Sequence, residues 1–275
     1  DRGGVKIYLN GKFLKREEAR LSVFDPGFLY GQGLFETMRA YQGRVFRLDS
    51  HIRRLLDSLV IIGIDAPLEA GSLKEAVKRC LKENDLKDAY VRLTVWQGED
   101  NKVKVMAIAK PYRFPGKEDY QKGFKAMLSA SRQNEFSPLC RVKSANYLRL
   151  LLAYQEAKKN NFDEALLLNT KGFLAEASRS NIFLVKDKCL LTPALDCGCL
   201  PGITRDTVLA LAGKEKIKAI EARLTLEDLE RAREAFLTNS LIEVMPLVSL
   251  DGKPVNKGKP GEITQRILKR YRALI

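Results

Sequence analysis

Three short stretches of the 275-residue chain hold side chains whose types and spacing could do chemistry. Arg141-Val142-Lys143-Ser144-Ala145-Asn146-Tyr147 carries a lysine between two predicted elements. Apolar surroundings there lower an ammonium pKa and free the amine as a nucleophile. Leu174-Ala175-Glu176-Ala177-Ser178-Arg179-Ser180-Asn181 ends a strand on Glu176 among small residues, where a carboxylate can be held against a ligand. Leu200-Pro201-Gly202-Ile203-Thr204-Arg205-Asp206 follows a strand and opens a helix, with Thr204 expected as its N-cap. A glycine lets backbone approach a ligand closely, and uncommitted N–H groups at a helix start bind phosphate.

Each stretch also has a plain structural reading. Gly-x-Thr before a helix serves capping alone, Lys143 by itself is one surface lysine among many, and Glu176 can pair with Arg179 or face water as a strand-end carboxylate. The loop lacks the Gly-x4-Gly-Lys of a nucleotide loop and the Gly-x-Gly-x2-Gly of a dinucleotide fold. It suits a single phosphate, as on pyridoxal phosphate (PLP). Glu176 set against a pyridine nitrogen would keep that nitrogen protonated and the ring electron-withdrawing.

The elements that must position these groups are legible from periodicity. Val5–Leu9 and Lys12–Leu14 flank Asn10-Gly11, a pair that favours a type I′ hairpin. Tyr30–Ala40, Tyr90–Trp96 and Val103–Ala109 are predicted strands; His51–Ile62 and Ser72–Lys82 are predicted helices. Prolines and charges between Lys110 and Gly123 mark a boundary. The expected organisation is an α+β N-terminal domain over 1–112, a linker over 113–122 and a strand-rich α/β C-terminal domain over 123–275. In the latter, hairpins flank Asn169–Gly172 and Lys186–Lys188, Asp251-Gly252 marks a turn, and Thr204–Ala212 begins a helix. Tyr147, Leu150, Leu151 and Tyr154 follow a helical stripe.

Composition narrows the functions. One histidine, His51, excludes a multi-histidine metal site, and a Ser-His-Asp or Cys-His relay would have to be built on it alone. No metal is expected. The five cysteines, Cys80, Cys140, Cys189, Cys197 and Cys199, are scattered, and Cys197-Gly198-Cys199 has neither zinc nor redox spacing. A reduced, intracellular setting is the plain reading. Lys+Arg number 48 against 34 Asp+Glu, a formal charge of +14, yet the basic residues are spread along helix-like segments. That argues against a nucleic-acid partner. No apolar run approaches the ~20 residues that span a bilayer, and the Asp1-Arg2-Gly3-Gly4 start carries no signal-peptide hydrophobic region. A cytoplasmic protein without a membrane partner is expected.

Taken in order, Lys143-Ser-x-Asn, Glu176-x4-Asn181-Ile-Phe, Thr192-Pro193, Leu200-Pro-Gly-Ile-Thr-Arg and Thr238-Asn-Ser240-Leu-Ile-Glu243 resemble the class IV (fold type IV) family of PLP-dependent enzymes. The family includes branched-chain aminotransferases, D-amino acid aminotransferases and 4-amino-4-deoxychorismate lyases. The resemblance covers nearly the whole chain, from the Asn10-Gly11 hairpin onward. It implies a two-domain α/β subunit with PLP between the domains, in a homodimer. By resemblance Lys143 is the Schiff-base lysine and the base at the substrate α-carbon, Glu176 faces the pyridinium nitrogen, and Tyr147 bonds the ring hydroxyl. Arg53 is implied as the phosphate-binding arginine of the family's His-x2-Arg-Leu segment, joined by Ile203, Thr204 and Ser240. His51 is then structural.

The choice of reaction turns on substrate-side residues. Branched-chain enzymes usually have Phe-Glu-Gly-Ile-Arg where this chain has Phe35-Glu36-Thr37-Met38-Arg39, and in the lyases a hydroxyl residue at the place of Thr37 is thought to assist proton transfer. Thr238-Asn239-Ser240 is also more similar to the lyases. The Arg-x-His pair of D-amino acid enzymes is missing at Val91-Arg92-Leu93-Thr94. The expected activity is therefore a 4-amino-4-deoxychorismate lyase, releasing 4-aminobenzoate and pyruvate for folate biosynthesis, with Lys143 and Thr37 catalytic. Tyr30, Arg39, Arg92 and Leu241 are expected to meet the substrate. The alternative is an aminotransferase for branched-chain L-amino acids, D-amino acids or amines.

Overall fold

The computed structural model describes residues 4–65 and 67–275; Asp1, Arg2 and Gly3, part of the start read above for a leader, lie outside the described residues. The chain divides into two compact units. One runs to Arg113 and also takes in Val142–Asn146; the other comprises Phe114–Arg141 and Tyr147–Ile275.

The first unit contains β1 (Lys6–Leu9), β2 (Lys12–Lys15), α1 (Pro26–Leu29), β3 (Gly33–Tyr41), β4 (Arg44–Val45), α2 (Leu48–Ile61), α3 (Ala70–Glu83), β5 (Ala89–Gln97) and β6 (Val103–Lys110). The opening hairpin turns through Asn10 at φ 47° and Gly11 at φ 91°, the left-handed pair that a type I′ turn requires. Six strands form an antiparallel sheet in the order β2-β1-β6-β5-β3-β4. Side chains alternate across it. Leu34, Met38, Ala40, Val91, Leu93, Val95, Val105, Ala107 and Ala109 join one core with Ile52, Leu55, Leu59, Leu73 and Val77 of α2 and α3. The opposite face carries Phe35, Thr37 and Arg39 of β3 beside Thr94, Arg92 and Tyr90 of β5, in register.

Glu36 falls on the core side of that alternation and is the exception to its apolar character. Its carboxylate is 1% exposed and accepts His51 Nδ1–H at 2.7 Å and Arg54 at 2.8 Å (Nε) and 2.6 Å (Nη2). An unpaired charge at this depth would cost several kcal/mol. Burial opposes ionisation, but Arg54 and His51 outweigh it and hold the carboxyl down at about 2. Burial is also the main reason that His51 is shifted below its ordinary value, so it serves as a neutral donor.

The second unit contains α4 (Lys117–Lys122), β7 (Phe124–Leu128), α5 (Leu148–Lys159), β8 (Glu164–Leu168), β9 (Leu174–Ala177), β10 (Asn181–Lys186), β11 (Cys189–Pro193), α6 (Ile203–Lys214), β12 (Ala219–Ala222), α7 (Leu226–Glu230), β13 (Glu234–Asn239), β14 (Glu243–Leu250), β15 (Lys253–Pro254) and α8 (Glu262–Arg272). Its mixed sheet runs β12-β11-β10-β13-β14-β7-β8-β9, with β15 against β14. Strands β8 and β9 are buried at every residue, as expected where both faces are covered. Cores of Leu166, Leu174, Ile182, Leu184, Leu237 and Leu247 hold it together. The β10–β11 turn places Asp187 and Lys188 at positive φ without a glycine.

Two sequence expectations are corrected here, and a third is refined. The stretch over 113–122 is more than a linker: it holds α4, and Tyr120 is buried with its phenol 3.1 Å from Glu243 Oε2. A helix of six residues is too short to display a period. The helix read from the Tyr147–Tyr154 stripe is present as α5, and it packs through Ala153 and Ala157 against Ala165 while Leu151 is exposed. Small residues allow a closer approach than the leucines would. Finally, 142–146 belongs to the first unit because its backbone completes β3. Phe35 N–H donates to Lys143 O at 2.9 Å, Ala145 N–H donates to Gly33 O at 2.8 Å, and Leu34 bridges Ser144.

The Glu36 cluster predicts acid lability. Glu36 and His51 both bind protons more readily in the unfolded chain, so stability falls as pH drops below 6.5 for His51 and from 4.5 towards about 2 for Glu36. Urea unfolding at pH 7, 5 and 3.5 should show that loss, about 1.4 kcal/mol from Glu36 alone by pH 3.5. Glu36→Gln should be less stable at pH 7 and show a flatter acid slope.

Candidate active site

In the first unit, the strap that completes β3 sets Lys143 beside the sheet face opposite the core. Lys143 Nζ lies 4.6 Å from the centroid of the Phe35 ring, and the Arg92 guanidinium carbon lies 3.7 Å from the same centroid. Arg92 Nε donates to Thr94 Oγ1 at 3.1 Å. Thr37 stands directly opposite Arg92 in the β3–β5 register, half-buried. Arg39, on the same face, stacks over Tyr41 at 4.4 Å. This surface therefore assembles an amine, two guanidiniums, a hydroxyl and an aromatic ring. Tyr30, just before β3, is 74% exposed, so no contact within its own unit fixes it as a substrate residue.

Arg53 is not on the inner side of α2. It is exposed, whereas its neighbour Arg54 is largely buried against Glu36. One residue is about 100° of helical rotation, enough to exchange a solvent face for the core side. The His-x2-Arg-Leu spacing counted from His51 also ends on Arg54 and Leu55. The arginine of that motif is thus Arg54. His51 is buried as a partner of Glu36, consistent with a structural role.

In the second unit, Glu176 is buried near the end of β9, and its Oε2 accepts the Leu200 N–H at 3.0 Å. Arg179, considered above as a partner of Glu176, stands 4.0 Å from Glu164. Asn181 donates to Leu200 O at 2.9 Å, so Glu176 and Asn181, on either side of the β9–β10 connection, both hold the Leu200 backbone. The N-cap of α6 is Gly202, two residues before the expected Thr204, and the helix begins at Ile203. The first helical bond is Asp206 N–H to Gly202 O, which leaves the N–H groups of Ile203 and Thr204 uncommitted to the helix ladder. A Cβ on Gly202 would lie 2.0 Å from Asn181 Oδ1, so only glycine permits this close approach.

Tyr147 caps α5 and donates its phenol proton to Ser178 O at 2.8 Å. Asn239 fixes the 240–242 turn, where Ser240 and Leu241 sit, by accepting the Leu241 and Ile242 N–H groups at 2.8 and 2.9 Å and donating to Arg179 O. Cys197 and Cys199 are buried, and burial pushes both thiols up, away from the reactive thiolate. They are packing residues. Sequence reasoning overlooked Glu36, Asn181 and Asn239 as positioning groups. Glu36 carried a signal, a lone carboxylate on the apolar phase of a strand.

Residues 33–250 match the family described as amino-transferase class IV. The putative branched-chain-amino-acid aminotransferase of Methanocaldococcus jannaschii is 41% identical over 278 residues, covering 98% of this chain and 96% of that protein. The crystal structure of Escherichia coli branched-chain amino acid aminotransferase superposes with a TM-score of 0.93 at 31% identity, covering 98% of this chain and 94% of that one. The T.th. branched-chain amino acid aminotransferase with pyridoxamine 5'-phosphate gives 0.91 at 31% identity, covering 98% and 93%. The residues present suit such a group. A glycine-capped helix start offers backbone N–H groups to a phosphate, a buried carboxylate can face a pyridinium nitrogen, and a lysine lies beside an aromatic ring. The chain belongs to the class IV aminotransferase family, as a PLP-dependent enzyme of fold type IV.

Proposed function

We propose that the enzyme transfers the amino group of branched-chain L-amino acids to a 2-keto acid. The observation that carries this reading is the Phe35 ring, with the Lys143 amine 4.6 Å from its centroid and the Arg92 guanidinium at 3.7 Å. An α-amino acid carries its amine and carboxylate on one carbon, and an aliphatic side chain needs an apolar wall beside them. The full-length likeness to proteins named as branched-chain aminotransferases supports the same reading over the lyase.

When bound, PLP supplies an aldehyde that captures amines and a ring that takes up negative charge from the α-carbon. The chain's residues take the remaining roles. Lys143 holds the cofactor and moves the α-proton, Glu176 keeps the ring nitrogen protonated, and Tyr147 orients at the ring hydroxyl. Arg54 replaces Arg53 at the phosphate, with Ile203 and Thr204 N–H groups and the Ser240 hydroxyl, because a dianion needs charge-assisted donors. Arg92 meets the substrate carboxylate, with Arg39, Leu241 and Tyr30 around the substrate. A homodimer is part of the proposal, supported by the exposed Phe24, Phe28 and Tyr30; the five free cysteines suit a reducing cytoplasm.

Thr37 favours a second reading, the 4-amino-4-deoxychorismate lyase, since its hydroxyl stands opposite Arg92 on the face that carries Phe35. The two reactions differ in their need for an acceptor. Purified enzyme given L-leucine and 2-oxoglutarate should form glutamate, with no turnover when 2-oxoglutarate is omitted. Pyruvate release from aminodeoxychorismate without any acceptor, together with no reaction of leucine, valine or isoleucine, would select the lyase. Lys143→Ala should lose the visible cofactor absorption band and all activity. Arg54→Lys should weaken PLP binding about tenfold or more through loss of the forked donor, while Arg53→Gln stays within about twofold of the parent in a fluorescence titration.

A further inference from the structure

Glu164 opens β8 with 1% of its surface exposed. A carboxylate is seldom buried so fully unless donors surround it. Here Ser178 Oγ and the Ala165 N–H (3.1 Å) donate to Oε1, while Ser180 Oγ donates to Oε2 at 3.3 Å with Arg179 Nε at 4.0 Å. All but one of these donors come from three consecutive residues, the turn that joins β9 to β10. Burial pushes the Glu164 carboxyl up, while Arg179 and the serine hydroxyls pull it back toward the charged form.

The same turn reaches the proposed cofactor residues. Ser178 N–H donates to Ala165 O at 2.8 Å and Ala177 N–H to Ser180 O at 2.7 Å, which fixes the direction of the Ser178 carbonyl. That carbonyl accepts the Tyr147 phenol proton at 2.8 Å. Arg179 in turn lies 3.3 Å from the ring centroid of Tyr154 on α5, the helix that Tyr147 caps. A phenol has one proton to donate. While Ser178 accepts it, the phenol oxygen offers lone pairs to its other neighbours.

We propose that Glu164 is a positioning residue, whose carboxylate locks the Ser178–Ser180 turn so that the Ser178 carbonyl sets the orientation of the Tyr147 phenol. The inference rests on the reading that Tyr147 meets the ring hydroxyl of PLP; Glu164 itself touches neither cofactor nor substrate. Chemistry at the carboxylate explains why an amide would not serve. Ionised, both oxygens accept; a glutamine would aim an N–H2 donor at one of two serine hydroxyls that need an acceptor.

The test is a double-mutant cycle on the PLP-loaded enzyme, read as the pH midpoint of the change in its visible absorption band. Glu164→Gln should move that midpoint by about half a unit or more, the size of one ordinary hydrogen bond. In a Tyr147→Phe background the same substitution should move it no further. A Glu164→Gln shift that persists without the phenol, or no shift while Tyr147→Phe moves the midpoint, overturns the role of Glu164. If Tyr147→Phe alone leaves both the midpoint and PLP affinity unchanged, the reading of Tyr147 fails and the proposal falls with it. Should Glu164→Gln not fold, Ser178→Ala removes only the hydroxyl facing the carboxylate. It should give a smaller shift with the same dependence on Tyr147, and an unchanged midpoint overturns the proposal.

Discussion

The first unit depends on one unfinished strand edge. β4 pairs with β3 only at Ala40 and Tyr41, so the other end of β3 would leave buried backbone groups without partners. Buried N–H and C=O groups must be satisfied. Residues 143–145 satisfy them, returning to Gly33 and Phe35 across a long stretch of sequence. A backbone requirement thereby places the lysine side chain beside Phe35 and on the same sheet face as Arg92 and Thr37. Once the strap is seated, strand alternation decides the rest: Phe35, Thr37 and Arg39 on one face, Glu36 and Met38 on the other.

Buried carboxylates recur wherever a loop or helix must be held still. Glu36 is tied to α2 through His51 and Arg54, Glu176 receives the Leu200 N–H, Glu164 gathers the 178–180 turn, and Glu243 accepts Arg272 Nε at 2.7 Å from α8. Each would be costly alone, and on Glu36, Glu164 and Glu243 several donors converge. Such groups stiffen the connections between elements, where apolar packing offers little directionality.

Much of the architecture is legible in the residues. Asn10-Gly11 and Asp251-Gly252 announce their hairpins because few residues tolerate positive φ, and the apolar periods of β5, β6, α2 and α3 are sustained over enough residues to be read. Lys143, Glu176 and the Gly202-Ile203-Thr204 segment stand out by type and context. What escaped reading has physical reasons. Helix α4 is shorter than the period that would reveal it. On α5, small alanines make the contact and the leucines stay outside, so hydrophobicity points to the wrong face. For Arg53 and Arg54 the His-x2-Arg-Leu spacing already points to Arg54, and helical phase adds that Arg54 is buried against Glu36 while Arg53 is exposed.

Sequence alone determined the kind of chemistry: a lysine, a carboxylate and a phosphate-ready helix start, in an order that matches one family of PLP enzymes, on strands and helices set by local periodicity. Tertiary structure decided which of those groups are buried and how each is held. It buried Arg54 against Glu36 and left Arg53 exposed, made Gly202 rather than Thr204 the cap of α6, seated Lys143 at the β3 edge, and buried Glu164 behind the 178–180 turn. Residue type and short-range spacing are encoded along the chain. The choice among similar donors depends on burial and on partners distant in sequence, and those exist only once the chain has folded.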